Sequence, residues 1–78
     1  MNMLVDMEFW GKDKSDVLFK VFNSITDNRV NIDEYMYMGT KKEYRDGKFS
    51  HYKHLFKNRI TRNYLNMMEG NEIFIVNQ

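Results

Sequence analysis

The chain has 78 residues, with no cysteine and no proline, and 12 Lys and Arg residues against 11 Asp and Glu residues give a formal net charge of +1. A chain of this length is expected to form one small domain, residues 1–78, with a thin core. The lack of cysteine excludes a disulfide framework and a thiolate metal site, and it fits a cytoplasmic location. The hydrophobic share of 42% argues against disorder.

The distribution of apolar residues predicts no membrane association. The longest apolar run near the C-terminus, residues 73–76, is far below the roughly 18 residues that a membrane-spanning helix needs. Near the N-terminus, Asp6 and Glu8 argue against a signal peptide, which carries a basic flank. The frequent Asn, Lys, Met, Phe, Tyr and Ile residues have AT-rich codons, so a low-GC genome or a phage is the expected source.

The first elements are predicted to be a strand and a helix. Residues 3–10 alternate between two sets of side chains, which is typical of a half-buried strand, and Gly11 ends it. Residues 13–16 then offer a helix cap, with acids in the first turn where the helix dipole favours them. Residues 26–28 close the helix. Its apolar positions follow helical spacing: Val17, Leu18, Val21, Phe22 and Ile25.

A second strand is predicted from Val30, Ile32 and the run 35–38, with Gly39 as a bulge or bend. The pair at residues 46–47, Asp-Gly, favours a type I′ hairpin turn. Residues 72–76 are predicted to form a short buried strand.

The hairpin turn at residues 46–47 would place Tyr44 opposite Phe49. The residues that follow the turn, 48–68, admit two interpretations. As a helix they would share one apolar stripe: Phe49, Tyr52, Phe56, Ile60, Tyr64 and Met67. As a hairpin turning at residues 57–59, they would place Phe56 opposite Ile60 and Tyr52 opposite Tyr64. The neighbouring turn favours strands. We therefore expect an α+β fold, one helix packed on a mainly antiparallel sheet, with a second long helix at about 48–68 as the alternative.

Charge is segregated along the chain. Residues 1–40 hold four bases against seven acids, whereas residues 41–62, here called the basic segment, hold eight bases against two acids. Such asymmetry is typical of a surface for nucleic acid or an acidic partner. The alternative is that the acidic and basic halves fold against each other and neutralise their own charges.

The basic segment and its aromatic residues predict a non-enzymatic binding protein. Lys and Arg neutralise phosphates, and aromatic rings stack on unpaired bases. The expected partner is a nucleic acid or an acidic protein surface. The candidate contact residues are Lys41, Lys42, Arg45, Lys48, Lys53, Lys57, Arg59, Arg62, Tyr52 and Tyr64. The alternative is that Tyr52 and Tyr64 belong to the core and the bases form an ordinary solvated face.

A second hypothesis is an inhibitor or regulator of a host protein, of the kind that phages produce. It would dock through its acidic N-terminal half or through the consecutive residues Tyr35, Met36, Tyr37 and Met38. Met adapts to irregular surfaces and Tyr anchors interfaces. The alternative is that these side chains fill the core.

Catalytic and metal-binding signals are weak. His51 and His54 would share one helix face but would point to opposite faces of a strand, and two ligands do not make a zinc site. A small ribonuclease using His51, Arg59, Arg62 and Tyr64 is a minor alternative. We therefore predict no enzymatic activity, no metal and no cofactor.

Overall fold

The computed structural model describes residues 6–26 and 29–77. These residues form a helix, a short 3-10 helix and one antiparallel sheet whose five strands pair in chain order, so the predicted α+β fold is confirmed. The elements are β1 (Asp6–Glu8), α1 (Lys12–Ile25), the 3-10 helix (Ile32–Glu34), β2 (Tyr35–Arg45), β3 (Lys48–Asn58), β4 (Tyr64–Glu69) and β5 (Ile73–Asn77).

The alternative of a long helix at residues 48–68 is wrong, because these residues form β3, a turn and β4. Of the predicted first strand, residues 9–10 follow β1 as coil, and residues 3–5 lie outside the described residues. Ile32 belongs to the 3-10 helix and not to the second strand. The predicted C-terminal strand is present as β5, but the prediction that it is buried is wrong, since Ile73, Phe74 and Val76 are 41%, 51% and 38% exposed.

The β2–β3 hairpin follows the predicted Asp-Gly turn. Asp46 has φ 54° and Gly47 has φ 76°, and a type I′ turn needs positive φ at both central residues. The turn places Tyr44 opposite Phe49, as predicted, with ring centroids 6.2 Å apart.

The β3–β4 turn differs from the predicted position. Strand β3 continues through Asn58, whose Oδ1 accepts hydrogen bonds from the backbone N–H groups of Ile60 and Thr61 at 2.8 and 2.9 Å. This side chain holds a turn over residues 59–63, so β4 begins at Tyr64. Tyr64 therefore pairs with Lys57 and not with Tyr52, and the two tyrosines lie on opposite faces of the sheet.

Gly39 forms the predicted bulge in β2. The pairing with β3 shifts between Tyr37 and Gly39, so Tyr37 and Thr40 both face the same side of the sheet. Gly39 has φ 116°, and a Cβ added there would lie 2.9 Å from Met7 Cε and 3.2 Å from the Glu8 carbonyl oxygen. The bulge therefore needs glycine, both for its backbone conformation and for the close approach of β1.

Helix α1 begins one residue before the predicted cap. Gly11 is the N-cap and gives no side-chain hydrogen bond, while its carbonyl accepts from the Ser15 N–H at 2.9 Å; the predicted cap at residues 13–16 is wrong. Of the predicted end, Thr26 is the C-cap and residues 27–28 lie outside the described residues. No helix in the described ranges is long and apolar enough to cross a membrane.

The core lies between α1 and one face of the sheet. Leu18 and Phe22 from the helix pack on Phe56 of β3 and Met67 of β4, and the Phe22 and Phe56 rings stack at 4.4 Å. The other face carries no helix among the described residues and is called the open face. By strand alternation and register it carries Met7, Met36, Lys41, Glu43, His51, Lys53, Leu55, Lys57, Tyr64, Asn66, Met68, Phe74 and Val76.

Candidate functional site

The basic segment forms most of the β2–β3 hairpin and the β3–β4 turn, so its eight bases are spread over four places. Arg45 and Lys48 lie exposed at the hairpin tip, and Arg59 and Arg62 lie exposed in the β3–β4 turn. Lys42 lies on the helix side of the sheet. The remaining three, Lys41, Lys53 and Lys57, lie on the open face.

Among the described residues, the acidic first half makes one ion pair with this segment. Lys42 pairs with Glu8, at 3.0 Å, and this contact together with a hydrogen bond from the Trp10 indole holds the pKa of Glu8 below its usual range. Within the described ranges, no ion pair joins any of the other seven bases to a carboxylate.

Lys41, Lys53 and Lys57 share the open face and are here called the lysine cluster. Lys41 and Lys53 are direct cross-strand partners, which brings their Cβ atoms to about 4.5–5.5 Å, and such like-charge pairs destabilise a sheet. Lys57 follows Lys53 on the same strand and face, four residues or roughly 13 Å further along. Glu43 shares this face, but its carboxylate contacts His51 at 2.8 Å and makes no ion pair with the three lysines among the described residues.

The two predicted stacking tyrosines have different surroundings. Tyr64 lies on the open face, where the Lys57 ammonium is 5.7 Å from its ring centroid. Tyr52 points to the helix side and packs against Trp10 and His54, with centroids 5.2 and 5.8 Å apart, so it is not placed to stack on a ligand of the open face. Phe74 of β5 is 51% exposed on the open face and was missed by the sequence analysis, since only the sheet register reveals its position.

The predicted Tyr/Met docking patch is divided by the sheet. Tyr35 and Tyr37 face the helix and contact the Phe22 and Phe56 rings respectively, at 5.4 and 5.9 Å. Met36 lies on the open face, and Met38 occupies the bulge. The four side chains therefore do not form one surface, because the strand period separates neighbours.

The histidines point to opposite faces, as the strand interpretation requires. His51 Nε2 lies 2.8 Å from Glu43 Oε1, and Ser50 Oγ lies 2.9 Å from the other ring nitrogen of His51. His51 is near one end of β3 and Asn58 at the other, roughly 23 Å away along the strand. Arg59 and Arg62 follow Asn58, so the residues of the ribonuclease hypothesis are not brought together.

A buried chain of hydrogen bonds runs through the helix side of the sheet and was not visible in the sequence. The backbone N–H of Trp10 donates to the Tyr37 hydroxyl at 3.2 Å, and this hydroxyl lies 2.5 Å from Thr40 Oγ1. Thr40 Oγ1 lies 2.8 Å from His54 Nδ1, and His54 Nε2 lies 2.7 Å from Glu69 Oε1. The pairing of β3 with β2 and β4 assembles this set, and no local spacing signals it.

The order hydroxyl, imidazole, carboxylate resembles a nucleophilic triad, but its geometry favours a structural role. Thr40 and His54 are both 0% exposed, so no substrate reaches the hydroxyl. Burial lowers the pKa of His54, against the opposing effect of Glu69. A neutral imidazole that accepts from Thr40 and donates to Glu69 satisfies every member of the chain.

Glu69 also lines a cavity of about 390 Å³ between α1 and strands β4 and β5. Its walls are mainly apolar, and Trp10, Asp13 and Lys14 lie near the start of the helix.

In the parts of the chain that the structure describes, no three His, Asp or Glu side chains are grouped to hold a metal ion. Comparison with known proteins found no matching family model, curated protein or solved structure.

Proposed function

We propose that the protein is a non-enzymatic nucleic-acid-binding protein that contacts single-stranded DNA or RNA through its open face. The observation that supports this proposal is the lysine cluster, three cations of β2 and β3 on a face that no helix of the described residues covers. Lysines neutralise phosphates and release their counterions.

The aromatic residues of the same face favour a single strand over a duplex. Tyr64 is half-buried beside Lys57, and Phe74 is 51% exposed on the adjacent part of the sheet. Unpaired bases stack on such rings, whereas the bases of a duplex are already stacked on each other. A sheet surface that carries lysines and rings therefore suits a splayed strand.

The exposed bases at the two ends of the sheet extend this surface. Arg59 and Arg62 lie just beyond the Lys57 end of β3, and Arg45 and Lys48 lie at the hairpin tip. We assign them to peripheral phosphate contacts. Lys42 is left out of the contact set, because it lies on the other side of the sheet and pairs with Glu8.

The experiment is a fluorescence anisotropy titration of a labelled, mixed-sequence single strand over a series of salt concentrations. The test variant carries Lys41→Gln, Lys53→Gln and Lys57→Gln together. The control carries Lys12→Gln, Lys14→Gln and Lys20→Gln on α1, which removes the same charge from the other side of the molecule.

The slope of log K against log salt should be about −0.7 per phosphate contact, so the test variant should lose about two units of slope relative to the wild type. The control should retain the wild-type slope. Equal losses in both variants would show that net charge alone drives binding, and no binding by the wild type at low salt would end the proposal.

Protein binding at the same face is the second candidate, and the exposed apolar residues favour it. Phe74 is 51% exposed, and Met7 and Val76 are each 38% exposed. Binding of such a partner, for example an acidic host protein in the cytoplasm, would be lost in the Phe74→Ala variant. This binding would also depend less on salt than the binding of a nucleic acid. Capture that persists after nuclease treatment and fails for Phe74→Ala would favour this candidate.

A further inference from the structure

The cavity between α1 and strands β4 and β5 lies on the opposite side of the sheet from the lysine cluster. Its volume of about 390 Å³ is in the range of small-molecule sites. Its apolar walls come from Val17, Leu18 and Val21 of the helix and from Met67 and Ile73 of the sheet. An apolar chain that enters this cavity is removed from water at little cost in polar desolvation.

Glu69 contributes a carboxylate to this mainly apolar cavity wall. The Glu69 side chain is 38% exposed, and one of its oxygens lies 2.7 Å from His54 Nε2. A carboxylate accepts up to about four hydrogen bonds, so acceptor capacity remains for a ligand. Because burial lowers the pKa of His54, the imidazole stays neutral near pH 7 and leaves the negative charge of Glu69 uncompensated.

The Trp10 ring at the cavity wall already accepts a cation. The Lys14 ammonium lies 5.5 Å from the ring centroid, within the range of a cation–π contact. Asp13, at the same end of the cavity, adds a second negative charge. Two carboxylates and one ammonium therefore give the cavity a net charge of −1, which selects a cationic ligand over an anionic one.

We propose that this cavity binds a small alkylammonium ion, with the alkyl chain against Val17 and Ile73 and the ammonium between Glu69 and the Trp10 ring. The site uses two different recognition elements for one ligand. The apolar walls bind the chain, and the carboxylate with the aromatic face binds the charge. The site is independent of the open face, so its test does not depend on nucleic-acid binding.

Trp10 is the single tryptophan of the chain, so its fluorescence reports directly on this cavity. The probe is hexylammonium, compared with hexanol and hexanoate, which carry the same chain with no charge and with the opposite charge. Saturable change of Trp10 emission at millimolar hexylammonium is expected, with hexanol binding at least about fivefold more weakly and hexanoate weakest. Equal affinities for the three probes, or no saturation by hexylammonium, would overturn the proposal.

Two variants should change the affinity in opposite directions. Glu69→Gln removes the charge but keeps an oxygen that accepts from His54, and it should weaken hexylammonium binding by about fivefold or more. Lys14→Met removes the competing cation from the Trp10 ring and should strengthen binding. Asp33→Asn, an exposed change in the 3-10 helix, should leave the affinity unchanged. An unaltered affinity in Glu69→Gln, with folding verified by circular dichroism, would refute the site.

Discussion

Thr40 joins two buried polar side chains, and its hydroxyl has no access to water. Replacing it by the nearly isosteric valine leaves the Tyr37 hydroxyl and His54 Nδ1 without their shared partner. A buried polar atom that loses its partner costs about 1–3 kcal/mol, so Thr40→Val should lower the free energy of unfolding by this amount in urea denaturation.

Thr61→Val is the matched control, because the hydroxyl of Thr61 also takes part in a hydrogen bond, accepting from the Asn63 backbone N–H at 3.2 Å, but in an exposed turn. Water replaces the lost partner there, and we expect a cost within about 0.5 kcal/mol. If the two valine variants lose the same stability, the buried chain is not a significant structural element.

His54 makes the stability depend on pH in a defined direction. Burial lowers its pKa below the usual 6.5, so in the folded state His54 is still neutral when the unfolded chain takes up a proton. The unfolded state then binds more protons, and the stability present above pH 6.5 is lost as the pH falls towards the folded pKa. The slope is up to about 1.4 kcal/mol per pH unit for one proton.

The measurement is the free energy of unfolding between pH 7 and pH 5 for the wild type and two variants. His54→Gln should flatten the dependence, because the group that titrates differently in the two states is gone. Thr61→Val changes an exposed turn and leaves every titratable group in place, so it should retain the wild-type slope. A retained slope in His54→Gln would assign the pH dependence to another group.

Among the secondary-structure elements, the bulge in β2 depends most on one residue. Gly39→Ala would combine a φ of 116° with a Cβ only 3.2 Å from the Glu8 carbonyl oxygen, so β1 would have to shift. We expect a loss of about 2 kcal/mol or more in unfolding free energy. Gly11→Ala is the control, since a Cβ there meets nothing within 4 Å; because Gly11 is the N-cap of α1, the change should cost no more than about 1 kcal/mol.

The elements that could be predicted from the sequence are those with local signals. The Asp46-Gly47 pair determines a hairpin by its own backbone preference, and Gly39 marked the bulge for the same reason. The turn after β3 was predicted at residues 57–59 but covers residues 59–63, because the side chain of Asn58, and not a glycine or proline, organises it. The strand partner of Tyr64 is therefore Lys57 instead of Tyr52, an odd shift of five positions, which puts the two tyrosines on opposite faces of the sheet.

The candidate sites were less predictable, because they depend on pairings between strands. The sequence identified Lys41, Lys53 and Lys57 as members of a basic segment, but only the register shows that they share a face while Lys42 does not. The contact of His54 with Glu69 joins residues 15 positions apart, and it exists only because β3 pairs with β4 in one particular register. No spacing rule in a single sequence contains this information.

For the molecule as a whole, the division of charge along the chain is only partly a division between surfaces. Strands β2 and β3 put the lysine cluster on the open face, whereas α1, across the sheet, carries Asp13 and Asp16 together with Lys12, Lys14 and Lys20. Because most of the basic segment makes no ion pair within the described residues, the repulsion inside the cluster is a cost to folding. Removing one lysine of the cluster is therefore expected to increase the stability of the protein.

Lys53→Gln tests this relation between folding and binding in one variant. It removes the charge opposite Lys41, so the free energy of unfolding should rise by about 0.2–1 kcal/mol at low salt, with a smaller gain at high salt. The same change removes one phosphate contact, so the affinity for a single strand should fall and the salt slope should shift by about 0.7. Lys20→Gln on α1 should change neither quantity to this extent. If Lys53→Gln lowers stability and affinity together, Lys53 supports the fold and the opposition between the two roles is wrong.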